Sequence, residues 1–473
     1  MINQAIALIN DVLWGKWQVL IYLLVMAGLW FTFKLGAIQI KHFGHMFSLI
    51  RNSTQSDKNG ISSFQALCTS LSARVGTGNL AGVAFAISLG GAGAIFWMWV
   101  IAILGMATGY AESLLAQVYK VKNPKGEFRG GPAYYIQQGL GLKWMAILFS
   151  ICIFMGYGLF FSAMQANTIA DAISHSYGFS TQSIGIVITV LAGIIVIGGL
   201  RAIARFAELV VPFMGAAYVL TAVGITIYNI DLVPAMLADI MLSAFGLQEA
   251  GAGAIGAAIK NGIQRGLFSN EAGSGSAPHA AASAAPMPNH PATQGYIQML
   301  GVFFDTIVLC TCTAVIILLA GIDGTGELGG IRITQDAMQT HIGDYGSHFV
   351  ATAITLFAFT SVVANYAYAQ SNLRIFKLDN KAGNWGYTAA YLGMVFWGSS
   401  ATLKQVLAAA DMALGLMTVV NVIALILLTP TIVAVSQHYM NKRKRNEDPS
   451  FVIDECKVQG TVKPGIWDQA SSN

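Results

Sequence analysis

Long apolar runs alternate with short polar connections along this chain, and that alternation decides most of what it can fold into. Residues 17–33, 184–200, 303–320 and 419–435 are apolar enough to be helical spans. At about 1.5 Å per helical residue, each crosses most or all of a hydrocarbon core roughly 30 Å thick. The chain is 55% hydrophobic and 10% charged, against about 25% charged in an average soluble domain. So few charges could not clothe a soluble surface. The expected class is an all-α polytopic membrane protein whose main partner is the lipid bilayer. The first run is longer than a signal-peptide core and has no basic leader, so it is expected to remain as a span. The net charge of +4 reads as a loop-orientation signal, and no nucleic-acid partner is expected. The five cysteines show no zinc or disulfide spacing and read as small buried hydrophobes, apart from Cys456 in the polar tail.

The pattern predicts about eleven spans, near 15–36, 64–89, 93–118, 133–170, 181–200, 206–228, 251–285, 295–320, 348–373, 385–403 and 411–437. Charge alternates between the connections. One set carries Lys41, Arg51 and Lys58, then Lys120, Lys122, Lys125 and Arg129, then Arg201 and Arg205, then Arg374, Lys377 and Lys381, and finally Lys442 to Arg445. The other carries Asp171, then Asp231, Asp239 and Glu249, then Asp323, Glu327, Asp336 and Asp344, with Arg332 and Lys404 as basic exceptions. Basic connections face the cytoplasm. The N-terminus is therefore expected outside and the C-terminus inside the plasma membrane of a bacterium-like cell, which requires an odd number of spans. Residues 1–60 then hold an extra span and a loop, 61–230 a first five-helix repeat, and 231–440 a second, with an interfacial helix over 232–245. Residues 441–473 form a cytoplasmic tail. Lys260 and Arg265 fall inside the seventh span and are expected to snorkel outward or to face an aqueous vestibule.

Two spans contain polar, glycine-rich breaks. Arg74-Val75-Gly76-Thr77-Gly78-Asn79 interrupts the second, and Ser269-Asn270-Glu271-Ala272-Gly273-Ser274-Gly275-Ser276 the seventh. At membrane depth a backbone leaves the helix only where protein or water meets its polar groups. The two breaks open successive sets of five helices. Because five is odd, the sets enter the membrane from opposite sides, and a five-plus-five inverted repeat follows. N–H groups after a break form the positive end of a half-helix and suit a carboxylate; carbonyls before it suit an ammonium group or a small cation. A zwitterionic amino acid offers both charges. Asn79 adds a side-chain carbonyl for a hard cation, and Thr77 a hydroxyl. In the second break Gly273 and Gly275 alternate with Ser274 and Ser276. Glu271 has three open roles: holding a coupling cation, carrying a proton, or pairing with Arg74.

Two further helices present polar faces. Tyr157, Phe161 and Gln165 recur every fourth residue, with Gln165 suited to a carboxylate or amide and Phe161 to an apolar lid. Ser361, Asn365, Tyr368 and Asn372 follow helical spacing on the ninth span, with Thr360 beside Ser361. Hydroxyls of Thr360 and Ser361, with carbonyls from the first break, would make an oxygen site fit for Na⁺. Interhelical hydrogen bonding is the plainer use of such residues. Glu112, Asp305 and Asp411 are read as structural.

These residues resemble the alanine/glycine:cation symporter family, also called sodium:alanine symporters. The resemblance covers nearly the whole chain. Its most specific strings are Ala73 to Asn79, Gly130-Gly131-Pro132-Ala133-Tyr134-Tyr135 and Leu267 to Ala277. The resemblance implies the fold of amino acid–polyamine–organocation transporters, and Na⁺-coupled, sometimes H⁺-coupled, uptake of alanine or glycine with no other cofactor. By position it implies that main chain around Thr77, Gly78 and Asn79 meets the substrate carboxylate, with Gln165 helping and Ser274 and Ser276 lining the site. It also implies a sodium site of Ser72 and Val75 carbonyls with Thr360 and Ser361. Arg74 stands where the related neurotransmitter symporters have an apolar residue.

The expected function is secondary active symport of a small neutral amino acid with Na⁺ by alternating access, with Glu271-based proton coupling as the alternative. An intramembrane enzyme is disfavoured because neither HExxH nor GxSxG is present. A passive pore is disfavoured because the breaks can hold a zwitterion.

Overall fold

The computed structural model describes residues 2–51, 53–55, 60–123, 126–247, 252–322 and 329–468. Lys58, Lys125, Glu249, Asp323 and Glu327, used above for orientation, lie outside the described residues. A surface helix α1 (Ile2–Leu13) precedes the first span, α2 (Val19–Lys34). The second span is split into α3 (Ser63–Arg74) and α4 (Val83–Gly90), and α5 (Gly93–Val118) follows. A hairpin of β1 (Val121–Lys122) and β2 (Phe128–Arg129) leads to α6 (Pro132–Gly139). Then α7 (Lys143–Met155) and α8 (Phe161–Tyr177) form one long rod, and α9 (Thr181–Ile197) and α10 (Gly199–Tyr228) complete a first set of five.

The expected interfacial helix is α11 (Val233–Ala244). The second set opens with another split span, α12 (Ala252–Asn270) and α13 (Ala277–Ser283). It continues through α14 (Pro291–Val302) and α15 (Thr311–Leu319), a surface helix α16 (Ile331–Ile342), α17 (Tyr345–Gln370), α18 (Lys381–Ser400) and α19 (Leu403–Leu427). A last helix, α20 (Thr429–Lys444), runs into the tail. Six of these rods are long and apolar enough to cross a bilayer on length and composition alone, while α2, α9 and Gly78–Gly90 are shorter and apolar. Large apolar residues such as Ile194 on α9 and Leu209, Phe213 and Leu220 on α10 face outward, as lipid contact requires.

Three span boundaries differ from expectation, the sixth span starting at Gly199 rather than near 206 and so taking in Arg201 and Arg205. The fourth span does not begin near 133: Gly141, in the left-handed region at φ 73°, separates α6 from a rod that runs to Tyr177. The last span covers Leu403–Leu427 rather than 411–437. Pro430 lacks an N–H and cannot continue a helix from the preceding turn, so the chain restarts as α20. α16 was not foreseen.

Small residues bring the elements close. A β-carbon on Gly262 of α12 would lie 2.5 Å from the Ala94 carbonyl of α5, and one on Gly266 would lie 2.5 Å from Ile101. These glycines seat α12 against α5. Three wide, π-helical turns occur among the described residues: Gly78–Gly82, Gly156–Phe160 and Phe303–Cys310. The tail folds back across the basic side. Tyr119 donates to the Gln459 carbonyl at 2.6 Å, and Trp467, 1% exposed, donates to the Gln117 carbonyl at 3.1 Å.

Candidate functional site

The first break starts where Val75, at φ −73° and ψ 103°, turns the chain out of α3. Gly76 is needed there, because a β-carbon would come 2.6 Å from Gln165 Oε1 and 2.7 Å from Ser361 Oγ. Gln165 Oε1 accepts from the Thr77 N–H at 2.9 Å and from Thr77 Oγ1 at 2.8 Å. Ser361 Oγ donates to the Ser72 carbonyl at 2.8 Å and lies 3.1 Å from the Val75 carbonyl; Thr360 Oγ1 lies 3.4 Å from the Ser72 carbonyl. Two main-chain and two hydroxyl oxygens from α3 and α17 thus converge on one point, all from buried residues. Asn365, one turn beyond Ser361, turns its amide toward Ser162 Oγ at 3.5 Å and makes no hydrogen bond to either break among the described residues.

Asn79 is used differently from the free cation ligand that its carbonyl suggested. Its Oδ1 accepts from the Gly76 N–H at 3.0 Å, closing the unwound turn on itself. Its Nδ2 donates to Ser269 Oγ at 2.9 Å and to Asp305 Oδ1 at 2.8 Å. Gly78 lets the breaks meet, since a β-carbon there would lie 3.0 Å from Ser269 Cα.

The second break follows α12 with left-handed backbone at Glu271 (φ 56°), Gly273 (φ 89°) and Gly275 (φ 87°). For Glu271, a residue with a β-carbon, this conformation costs about 1 kcal/mol. Its carboxylate accepts from Ser276 Oγ at 2.6 Å, with Tyr157 beside it. Ser274 Oγ donates to Ser276 Oγ at 3.1 Å, so both serines bond within their own loop. Gly275 donates its N–H to Glu112 at 3.2 Å, and a β-carbon there would meet Pro132 and Phe149. Pairing of Glu271 with Arg74 is not realised. Arg74 is 1% exposed, and its guanidinium has no hydrogen-bond partner among the described residues. Glu112, Glu271 and Asp305 all lie within its electrostatic range.

An aromatic column rises beside the breaks. Phe161 stacks on Tyr157 at 4.9 Å and on Phe268 at 5.1 Å, and the Arg265 guanidinium lies 5.4 Å from the Phe268 ring. Arg265 does not snorkel: it is 4% exposed and bonds Asp411 at 2.7 Å, with Gln264 on the same oxygen at 3.0 Å. Asp411, Gln264 and Lys260 line a cavity of about 580 Å³.

Asp305, read from the sequence as structural, sits at the centre of the breaks. It lies on the Phe303–Cys310 turn, fully buried, and accepts from Asn79, from Ser269 Oγ at 2.7 Å and from Thr306 Oγ1 at 2.8 Å. An acid inside an apolar run was the available signal.

Six long apolar rods and several shorter ones among the described residues, with two helices broken at a shared buried polar centre, define a multi-pass membrane transporter. The chain belongs to the sodium:alanine symporter family, whose sequence profile matches residues 1–453. This is a family of transporters and not of enzymes. It is 44% identical to the amino-acid carrier protein AlsT of Bacillus subtilis, over 96% of this chain and 95% of the relative. It is 42% identical to the probable sodium/glutamine symporter GlnT of the same organism, over 98% and 96%. The fold matches the crystal structure of MhsT in complex with L-phenylalanine, with a TM-score of 0.55 at 12% identity, over 87% of this chain and 96% of that one.

Proposed function

We propose that this chain is a secondary active symporter that imports a small neutral amino acid, alanine and/or glycine, with Na⁺ by alternating access. The observation that carries this reading is the convergence of the Ser72 and Val75 carbonyls with the Thr360 and Ser361 hydroxyls, beside a main chain held by Gln165. Neutral oxygens of this kind suit a hard monovalent cation, and the adjoining half-helix end suits a carboxylate. In this reading Thr77 and Gly78 receive the carboxylate, Gln165 orients it, and Phe161 closes over it. Asn79 sets the shape of the break, and Ser274, Gly275 and Ser276 wall the site from the other side. The orientation follows the charge pattern, with the N-terminus outside, the C-terminus in the cytoplasm of a bacterium-like cell, and repeats over 61–230 and 231–440.

A second reading couples transport to H⁺ through Glu271. It is favoured by that carboxylate being 1% exposed, with a serine donor and no ion pair among the described residues. The relationship to a probable sodium/glutamine symporter brings glutamine into the substrate test. Uptake of alanine, glycine and glutamine into proteoliposomes, with Na⁺ and H⁺ gradients imposed separately, decides these points. The reading expects accumulation of alanine or glycine driven by Na⁺ alone. Accumulation driven by H⁺ without Na⁺ would replace it with the Glu271 reading.

A further inference from the structure

A separate cavity of about 550 Å³ opens on the side where the basic connections gather. Lys143, Arg374, Lys377 and Lys463 line it, together with Tyr134 and Thr461 and, among the described residues, no Asp or Glu. Four cations in one concavity repel one another unless an anion joins them. None of the four has a carboxylate partner among the described residues. Asp379, an acid that shares the surroundings of Tyr134, lies 3.6 Å from Arg129. Lys143 is also the first residue of α7, so the positive end of that helix adds to the field. The tail completes the wall, with the Thr461 N–H bonded to the Gln138 carbonyl at 3.0 Å.

The same cavity runs onto an apolar face. Ile147 belongs to both, and Trp144 (65% exposed), Leu148 (41%) and Ile151 (44%) continue that face along α7. A soluble phosphate would use only the basic half of this surface. A phospholipid would use both halves, with its phosphate among the cations, its chains along α7 and Trp144 at the headgroup level. We propose that this cavity binds the phosphate of an anionic phospholipid of the cytoplasmic leaflet. The leaflet rests on the orientation proposed above; the site itself does not depend on which substrate is carried.

Quenching of Trp144 tests this on the full chain in detergent micelles, its share of the emission being isolated by comparison with Trp144→Phe. Brominated-chain phosphatidylglycerol is expected to quench that share at about tenfold lower mole fraction than brominated phosphatidylcholine. The triple variant Lys143→Gln, Arg374→Gln, Lys377→Gln should bring the two lipids level. Lys463→Gln alone, on the exposed tail, should narrow the gap by about threefold without touching a span. Equal quenching by the two lipids in the unmodified protein overturns the anion site. Complete reversal by inorganic phosphate at low millimolar concentration makes the ligand a soluble phosphate and overturns the lipid. Transport is not the readout, so this outcome is separate from that of the symport reading.

Discussion

The Asn79 side-chain amide donates to the Asp305 carboxylate at 2.8 Å, and through it the first break is tied to the eighth span. The same nitrogen lies 2.9 Å from Ser269 Oγ on the other broken helix. One residue of the unwound turn therefore touches both the other broken helix and the eighth span. Asp305 has three donors on it and no cation bonded to it among the described residues, and Arg74 acts on it only through space.

Asp305→Ala removes the acceptor that Asn79, Ser269 and Thr306 share. A buried donor left unsatisfied costs about 1–3 kcal/mol. The variant should lose amino-acid uptake and melt at lower temperature in detergent. Asp305→Asn keeps the shape, and should recover most of the thermal stability but not the uptake. Full uptake by Asp305→Asn would reduce the residue to a brace.

The double variant Thr360→Ala, Ser361→Ala should raise the Na⁺ concentration for half-maximal uptake at least tenfold, about 1.4 kcal/mol. The maximal rate at saturating Na⁺ should fall far less. A Na⁺ titration of alanine uptake in proteoliposomes reads both, and an unchanged midpoint would remove these hydroxyls from the cation site.

Gly76→Ala should abolish uptake while the protein still inserts in the membrane, because the new carbon would sit 2.6 Å from Gln165 Oε1. Gln165→Ala and Asn79→Ala should also abolish alanine uptake with insertion intact. Uptake assays paired with surface labelling separate these effects from failed biogenesis, and full uptake in any one variant removes that residue from the site.

Acid should loosen the connection between α2 and α3 before it reaches the spans. Burial, helped by the charges of Arg443 and His42, pushes His45 down to about 4 from the ordinary 6.5. The unfolded chain thus takes up a proton that the folded one refuses. Stability is full above pH 6.5, falls as the pH drops from there toward 4, and levels below. Burial lowers His42 in the same direction. Melting temperatures across this range should fall with acid, and His45→Gln should flatten the slope.

Membrane class, both breaks and the Thr360–Ser361 face were legible because each violates a simple expectation: glycine, amide or hydroxyl where lipid demands apolar helix. The partnership of Ser361 with Ser72 and Val75 followed from spacing together with the family resemblance. What stayed hidden depended on the third dimension. Arg265 reads as a stranded charge until Asp411, distant in sequence, is placed against it. Asn79 reads as a free ligand until the Gly76 N–H is seen to use its carbonyl. Asp305 was visible as an acid in an apolar run, but its two partners across the breaks were not. The wide turns leave no periodic trace, since an extra residue in a helix changes the register without changing the composition.

Those wide turns have a mechanical consequence. Each holds one residue more than an α-turn would, and Gly78–Gly82, Gly156–Phe160 and Phe303–Cys310 carry Asn79, Tyr157 and Asp305 respectively. A surplus residue is about 100° of helical rotation stored as slack. Passing that surplus along the rod swivels one end against the other without unwinding either. The three rods around the centre thus carry that slack at the depth where their side chains meet.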